Sequence, residues 1–242
     1  MIRRTFCAVA MLIAAQQSYG AADSIFAEAN SAYAAGDFQK AIDGYEQLLR
    51  DGRSHANLFY DLANAWYRAG DDGKAILNYE RALALEPHHP EADANLRLVR
   101  EHARALELHP TMERYFGFTT TRARTITAAV AFWSAVFLAI SFVLTRSRIR
   151  IALLAVAVLV FGIATVGAYL CETGDRGRSL AIVTAKDAQA RVATADTSAS
   201  VLALPAGSEV TVLSARGDWT YVGLPNGQRG WLPAKAVELV RL

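Results

Sequence analysis

The sequence predicts a multidomain chain: an α-solenoid of short helical repeats, a two-helix transmembrane hairpin, and a small all-β barrel. Three observations lead there. Residues 23–108 repeat with a period of 34, two runs of 21 residues carry no ionisable side chain, and residues 180–242 alternate short β-type runs with turn signals.

The repeat is read by self-comparison. Phe26, Ala29, Asn30, Tyr33, Gly36, Asp37, Ala41, Ile42 and Tyr45 recur as Tyr60, Ala63, Asn64, Tyr67, Gly70, Asp71, Ala75, Ile76 and Tyr79, each pair 34 apart. Gly36 and Gly70 stand where a tight helix–helix turn needs a residue without Cβ. Ala41 and Ala75 stand where two helices cross too closely for a larger side chain. This pattern, with Pro87 closing the second unit, resembles the tetratricopeptide repeat (TPR) over two full units. Helix pairs of this kind cannot bury their apolar stripe alone, so a further element must cover the end. Residues 91–108 fit that role as a capping helix, with Ala92, Leu96, Val99 and Ala103 on one face, and the whole domain is expected over 23–110.

On the first helix of each unit, Phe26, Asn30 and Tyr33 share a face, and Tyr60, Asn64 and Tyr67 repeat it with Arg68 alongside. The TPR resemblance implies that this face lines a concave groove and that the Asn amide holds a bound peptide's backbone. An amide both donates and accepts, which suits an extended chain, and Tyr adds flat contact area at low entropic cost. A second role is open to the same residues: Asn30 and Asn64 hydrogen-bond inside the solenoid while the tyrosines pack. The basic residues that carboxylate-clamp TPR domains use are mostly missing.

The apolar segments set the expected topology. Residues 1–22 combine Arg3 and Arg4, a short apolar stretch and small residues at 18–22, the pattern of a secretory signal peptide. Residues 125–145 and 151–171 are each long enough, at ~31 Å as helix, to cross a bilayer. The connector 146–150 holds three Arg, which places it in the cytoplasm. Both flanking domains are then extracytoplasmic, giving a two-pass protein of the bacterial inner membrane. No Asp, Glu, His or Lys lies in either run, so the hairpin reads as an anchor without an ion path. Residues 111–124 and 172–179 are linkers.

Beyond them, runs at 180–184, 188–193, 200–204, 210–215, 219–224 and 230–232 read as six short strands. Pro205-Ala206-Gly207, Arg216-Gly217-Asp218 and Pro225-Asn226-Gly227 separate them as turns. Leu204-Pro205-Ala206-Gly207, Asp218-Trp219 and Asn226 to Leu232, with Gly230-Trp231 inside it, resemble the bacterial SH3 (SH3b) family over 180–239. That resemblance implies an SH3-like barrel and makes Trp219 and Trp231 candidates for a ligand-stacking platform; both also suit a barrel core.

Chemistry is sparse. Of two cysteines, Cys7 falls in the targeting segment, so neither an internal disulfide nor a thiolate metal site forms in the mature chain. His88-His89 lies between two prolines as a solvated turn without further ligands at metal spacing. No Gly-rich phosphate loop or nucleophile elbow occurs. Residues 23–110 carry 15 acidic against 9 Lys and Arg residues, which argues against nucleic-acid binding. The expectation is therefore no enzyme, no cofactor and no metal.

In order, signal peptide, TPR pair, membrane hairpin and SH3b barrel resemble the BatE-type proteins of bacterial Bat (aerotolerance-related) operons. The resemblance implies a membrane-anchored scaffold acting beside von Willebrand factor A-domain membrane proteins. The alternative is an envelope ligand-binding protein whose SH3b domain docks on peptidoglycan while its TPR recruits an envelope enzyme.

Overall fold

The computed structural model describes residues 23–108 and 179–241, with short helical pieces at 126–130, 132–134, 136–137, 155–156, 158–163 and 165–166. The helical region holds α1 (residues 23–34), α2 (Phe38–Arg50), α3 (Ala56–Arg68), α4 (Asp72–Leu85) and α5 (Pro90–Ala103). The period of 34 is visible in each boundary. Gly36 and Gly70 take φ of +81° and +83°, and the amides that follow, of Asp37 and Asp71, close back onto the carbonyls of Ala32 and Trp66. Asp37 and Asp71 then cap the next helix, accepting from the amides of Lys40 and Lys74 at 3.2 and 3.0 Å. His55 and His89, also 34 apart, cap α3 and α5 through Nδ1, which accepts from the amides of Leu58 and Ala92. His89 is therefore a buried structural group, not the solvated turn expected of it. Ala41 and Ala75 are fully buried at their helix crossings.

α5 begins like the first helix of a third repeat, but among the described residues no second helix pairs with it. Arg104, left-handed at φ 53°, ends it, and residues 105–108 run extended into the β half. The β half contains β1 (Leu180–Val183), β2 (Ala188–Arg191), β3 (Ser200–Leu204), β4 (Glu209–Arg216), β5 (Trp219–Gly223), β6 (Arg229–Pro233) and β7 (Val237–Leu239). All pairings are antiparallel in the order β3-β2-β6-β5-β4-β1-β7. This corrects the expected barrel. β3 and β7 end the sheet without pairing to each other, so it stays open. One reason is that β7, a strand absent from the sequence reading, takes the free edge of β1. A second is that β1 packs its apolar side chains against the repeats.

That packing makes the two halves one body. Leu180, Ile182 and Val240 share a buried cluster with Ala75, Ile76, Leu77, Leu96 and Val99. A second cluster fills the space between α1, α2 and α3, and a third lies under β2, β4, β5 and β6. At the seam, Gly207 (φ +87°) lies so close to α4 that an added Cβ would stand 2.2 Å from Ile76 Cδ1. The Glu209 amide donates to the Leu106 carbonyl at 2.8 Å, and Glu209 Oε2 accepts from the Leu108 amide at 3.0 Å. Arg100, 8 % exposed, bonds both Glu80 at 2.6 Å and Glu209, and Glu107 lies 3.6 Å away. The sheet thus occupies the place of the missing helix.

No helix among the described residues is long and apolar enough to cross a membrane. This corrects both the transmembrane hairpin and the two-pass inner-membrane placement built on it. The signal peptide at 1–22, the linker at 111–124, the loop at 146–150, both cysteines and most of the two runs lie outside the described residues.

Glu209→Ala, made in the β half, removes one of the two buried carboxylates bonded to Arg100 and leaves the Leu108 amide without its acceptor, while Glu80 stays paired. It should destabilise the full chain by about 1–3 kcal/mol. Helical ellipticity, reporting the repeats, and tryptophan fluorescence in a Trp66→Phe/Trp133→Phe background, reporting Trp219 and Trp231 of the sheet, should shift together along one urea transition. Two separate transitions would show that the seam does not couple the halves.

Candidate functional site

The 3.6-residue turn sorts α3 into two faces. Leu58, Phe59, Leu62, Ala63 and Ala65 are buried in the core, while Asn57, Tyr60, Asp61, Asn64, Tyr67 and Arg68 stay half-buried or exposed on the other side. The equivalent face of α1 presents Phe26, Asn30 and Tyr33, and that of α5 presents Asn95, Leu98 and His102. All seven groove residues expected from the sequence fall on this one strip. Phe26 packs 6.0 Å from the Tyr45 ring, and Tyr33 stands edge-on to Phe38 at 5.6 Å. The Arg68 guanidinium sits over Phe38 at 4.9 Å. Tyr60 lies between Tyr79 and His89, at 6.1 and 5.0 Å. Tyr67, 40 % exposed, meets His102 edge-on.

The two amides are held alike. Tyr45, one helix further on, donates its hydroxyl to Asn30 Oδ1 at 2.7 Å, and Tyr79 donates to Asn64 Oδ1 at 2.5 Å. Burial pushes the Tyr45 hydroxyl up to about 12, with the Asp61 and Tyr33 charges adding to it, and pushes Tyr79 higher still, so both remain donors. Asn95 Nδ2 joins the second site, donating to Asn64 Oδ1 at 3.1 Å and reaching the Tyr60 and Tyr79 hydroxyls at 3.4 Å. Each amide oxygen is consumed inside the repeat. Among the described residues, the Nδ2 donors of Asn30 and Asn64 have no acceptor. The internal and outward roles of these amides thus coexist, oxygen in and nitrogen out.

Asp61 is the member of the strip that sequence reasoning missed. It is half-buried, with no hydrogen bond or salt bridge among the described residues. Burial raises its carboxyl to about 6, and nearby His89 opposes the shift. The signal was present in the sequence: Asp61 shares a face with Asn57 and Asn64, four and three residues away, and the period maps it onto Asn95. His89 was legible the same way, as the counterpart of His55. Asn57, which contacts His89 Nε2 at 3.2 Å, completes the set.

In the sheet, Trp219 and Trp231 are half-buried and belong to none of the three core clusters. Alternation sends Val222 and Leu232 inward and leaves Trp219, Tyr221 and Trp231 on the other face. Tyr221 pairs with Trp231 across the strands, ring centroids 4.9 Å apart, and Arg191 sits beside Trp231 in register. No group of three or more His, Cys, Asp or Glu side chains among the described residues is placed to hold a metal.

The raised Asp61 carboxyl gives a signed prediction. Below pH 4 the group is protonated folded or unfolded and costs nothing. As pH rises through about 6 the folded state must ionise a half-buried acid, and stability falls. Asp61→Asn removes that cost. The variant should match the parent in urea at pH 3.5 and exceed it by about 1–2 kcal/mol at pH 7.5, a figure discounted for partial exposure. An equal difference at both pH values would show that Asp61 does not titrate in this range.

Residues 56–89, which hold α3, α4 and the turn into α5, match the family model of the tetratricopeptide repeat. No curated protein matches the chain. The repeat marks the helical region as a protein–protein interaction scaffold.

Proposed function

We propose that this chain is a non-enzymatic scaffold that binds an extended segment of a partner protein along the strip formed by α1, α3 and α5. The observation that carries this reading is the pair of anchored amides. Asn30 and Asn64 each have Oδ1 fixed by a buried tyrosine and Nδ2 without an internal acceptor. Two such donors on adjacent helices suit the carbonyls of an extended backbone, and the partly open aromatic rings of Phe26, Tyr33, Tyr60 and Tyr67 offer contact area between them. The finer assignment to von Willebrand factor A-domain partners rests on the modular resemblance alone. Peptidoglycan docking on Trp219 and Trp231 is the second reading, supported by their shared face with Tyr221.

Asn64 is the poorer test residue, because Asn64→Ala strands both the Tyr79 hydroxyl and the Asn95 amide, whereas Asn30→Ala leaves only the Tyr45 hydroxyl without its acceptor. Asn30 and Tyr67 are more exposed, so the double variant Asn30→Ala/Tyr67→Ala should keep its unfolding free energy within about 2 kcal/mol of the parent. Affinity capture of the intact chain, read by quantitative mass spectrometry, should then show its protein partners depleted at least tenfold by the double variant. Identical partner sets for parent and variant would remove the strip from the binding surface. Partners lost only with Trp231→Ala would move it to the sheet.

A further inference from the structure

Resting on that reading of the strip, we infer that the segment it binds is basic, and that Asp61 recognises a Lys or Arg side chain of the ligand. Charge complementarity points to this occupant. Asp61 lies mid-strip on α3, one turn from Asn64, half-buried and without a hydrogen bond or salt bridge among the described residues. A half-buried carboxylate left unpaired is costly, and a ligand cation would offset that cost.

No neighbour forms an ion pair or hydrogen bond with Asp61 among the described residues, although His89 lies near enough to oppose the rise of its carboxyl pKa. From α1 come Asn30 and Tyr33, and from α2 comes Tyr45; all three are neutral. On α3 itself the flanking groups are Asn57, Tyr60 and Asn64. From the start of α5 come Asn95 and His89. The His89 ring accepts from the Ala92 amide through Nδ1, with Glu91 3.3 Å from the same atom, and meets Asn57 Oδ1 through Nε2, so neither ring nitrogen bonds Asp61. Arg68 lies seven residues along the same face, its guanidinium engaged over Phe38.

The surroundings favour a cation in two further ways. Tyr33, Tyr60 and Phe26 present aromatic rings along the strip, over which an ammonium or guanidinium is attracted by the ring face. The repeat region at large is acidic, with 15 acidic against 9 Lys and Arg residues over 23–110, so a basic segment is steered toward it. The arrangement is the reverse of a site for an acidic or C-terminal carboxylate motif.

A random decapeptide library displayed on phage and panned against the immobilised full chain tests this, with the winners resynthesised and titrated by fluorescence anisotropy. Binders should be enriched in Lys or Arg. Asp61→Asn should weaken them at least tenfold, replacing the key Lys by Gln in the peptide should do the same, and the two losses should not add. Binding should also weaken as pH falls below about 6, where the carboxyl protonates, and Asp61→Asn should abolish that dependence. Because Asp61→Asn is expected to stabilise the fold, a loss of binding cannot be ascribed to unfolding. Binders that lose affinity with Asn30→Ala/Tyr67→Ala but not with Asp61→Asn would overturn the cation assignment and leave the binding strip standing. Failure to select any peptide sensitive to the double variant would overturn both.

Discussion

The cation of Arg100 is the constraint around which the molecule closes. It occupies the position that Ala32 and Trp66 hold in the two preceding repeats, yet it faces the seam instead of another helix. Burial disfavours its charge, and the carboxylates of Glu80, Glu209 and Glu107 more than reverse that, so its pKa lies above the ordinary value. Glu80 belongs to α4, Glu209 opens β4 and Glu107 lies on the strap between halves. A buried ion of this kind adds little net stability over an apolar substitute, because desolvation costs about what attraction returns. What it does is select geometry. Only one placement of sheet against solenoid lets Arg100 reach both Glu80 and Glu209 while Leu106 and Leu108 bond to the start of β4.

A repeat array that stops after five helices leaves an apolar flank on α4 open, and an array of identical units would continue indefinitely. This chain ends its array with a sheet. Leu180 and Ile182 of β1 cover Ile76 and Leu77, and Gly207 admits the contact by having no side chain. The same strand that would have closed a barrel is therefore committed elsewhere. The open order of the sheet follows from this second surface to be buried.

Legibility in the sequence followed locality. The 34-residue period, the Gly-Asp turns, the buried alanines and the strip of Asn and Tyr are set within single helices or adjacent pairs, and periodicity finds them. Six of the strands were placed by alternation and turns for the same reason; β7 follows a single 3-10 turn after β6 and carried too short a pattern to be seen. Closure of the sheet is a global property that strand spelling does not encode, so family-like turns suggested a barrel the chain does not form. Arg100 and Glu209 stand 109 positions apart, and neither has a local signature, since an Arg on an exposed-looking helix reads as solvated. His89 was misread because its neighbours Pro87, His88 and Pro90 suggest a solvent-facing turn, whereas its capping role follows only from comparison with His55. Apolar length alone argued for membrane crossing, whereas no helix among the described residues is long and apolar enough to cross.

α4 couples the seam to the strip. Its residues Ile76 and Leu77 are buried against the sheet, Glu80 holds Arg100, and Tyr79, between them in sequence, fixes the carbonyl of Asn64 on the opposite side. A fully buried tyrosine has no freedom to follow a shifting partner in a close-packed interior. The orientation of Asn64, and through Asn95 the spacing of α3 and α5, is thus set by how α4 is seated on the sheet. In an ordinary solenoid that seat would be another repeat, able to flex with the array. Here it is a seven-stranded sheet locked by a buried ion cluster. The fusion therefore trades the adaptability of a long array for a short face of fixed spacing, the arrangement that preorganisation would require of the proposed binding strip.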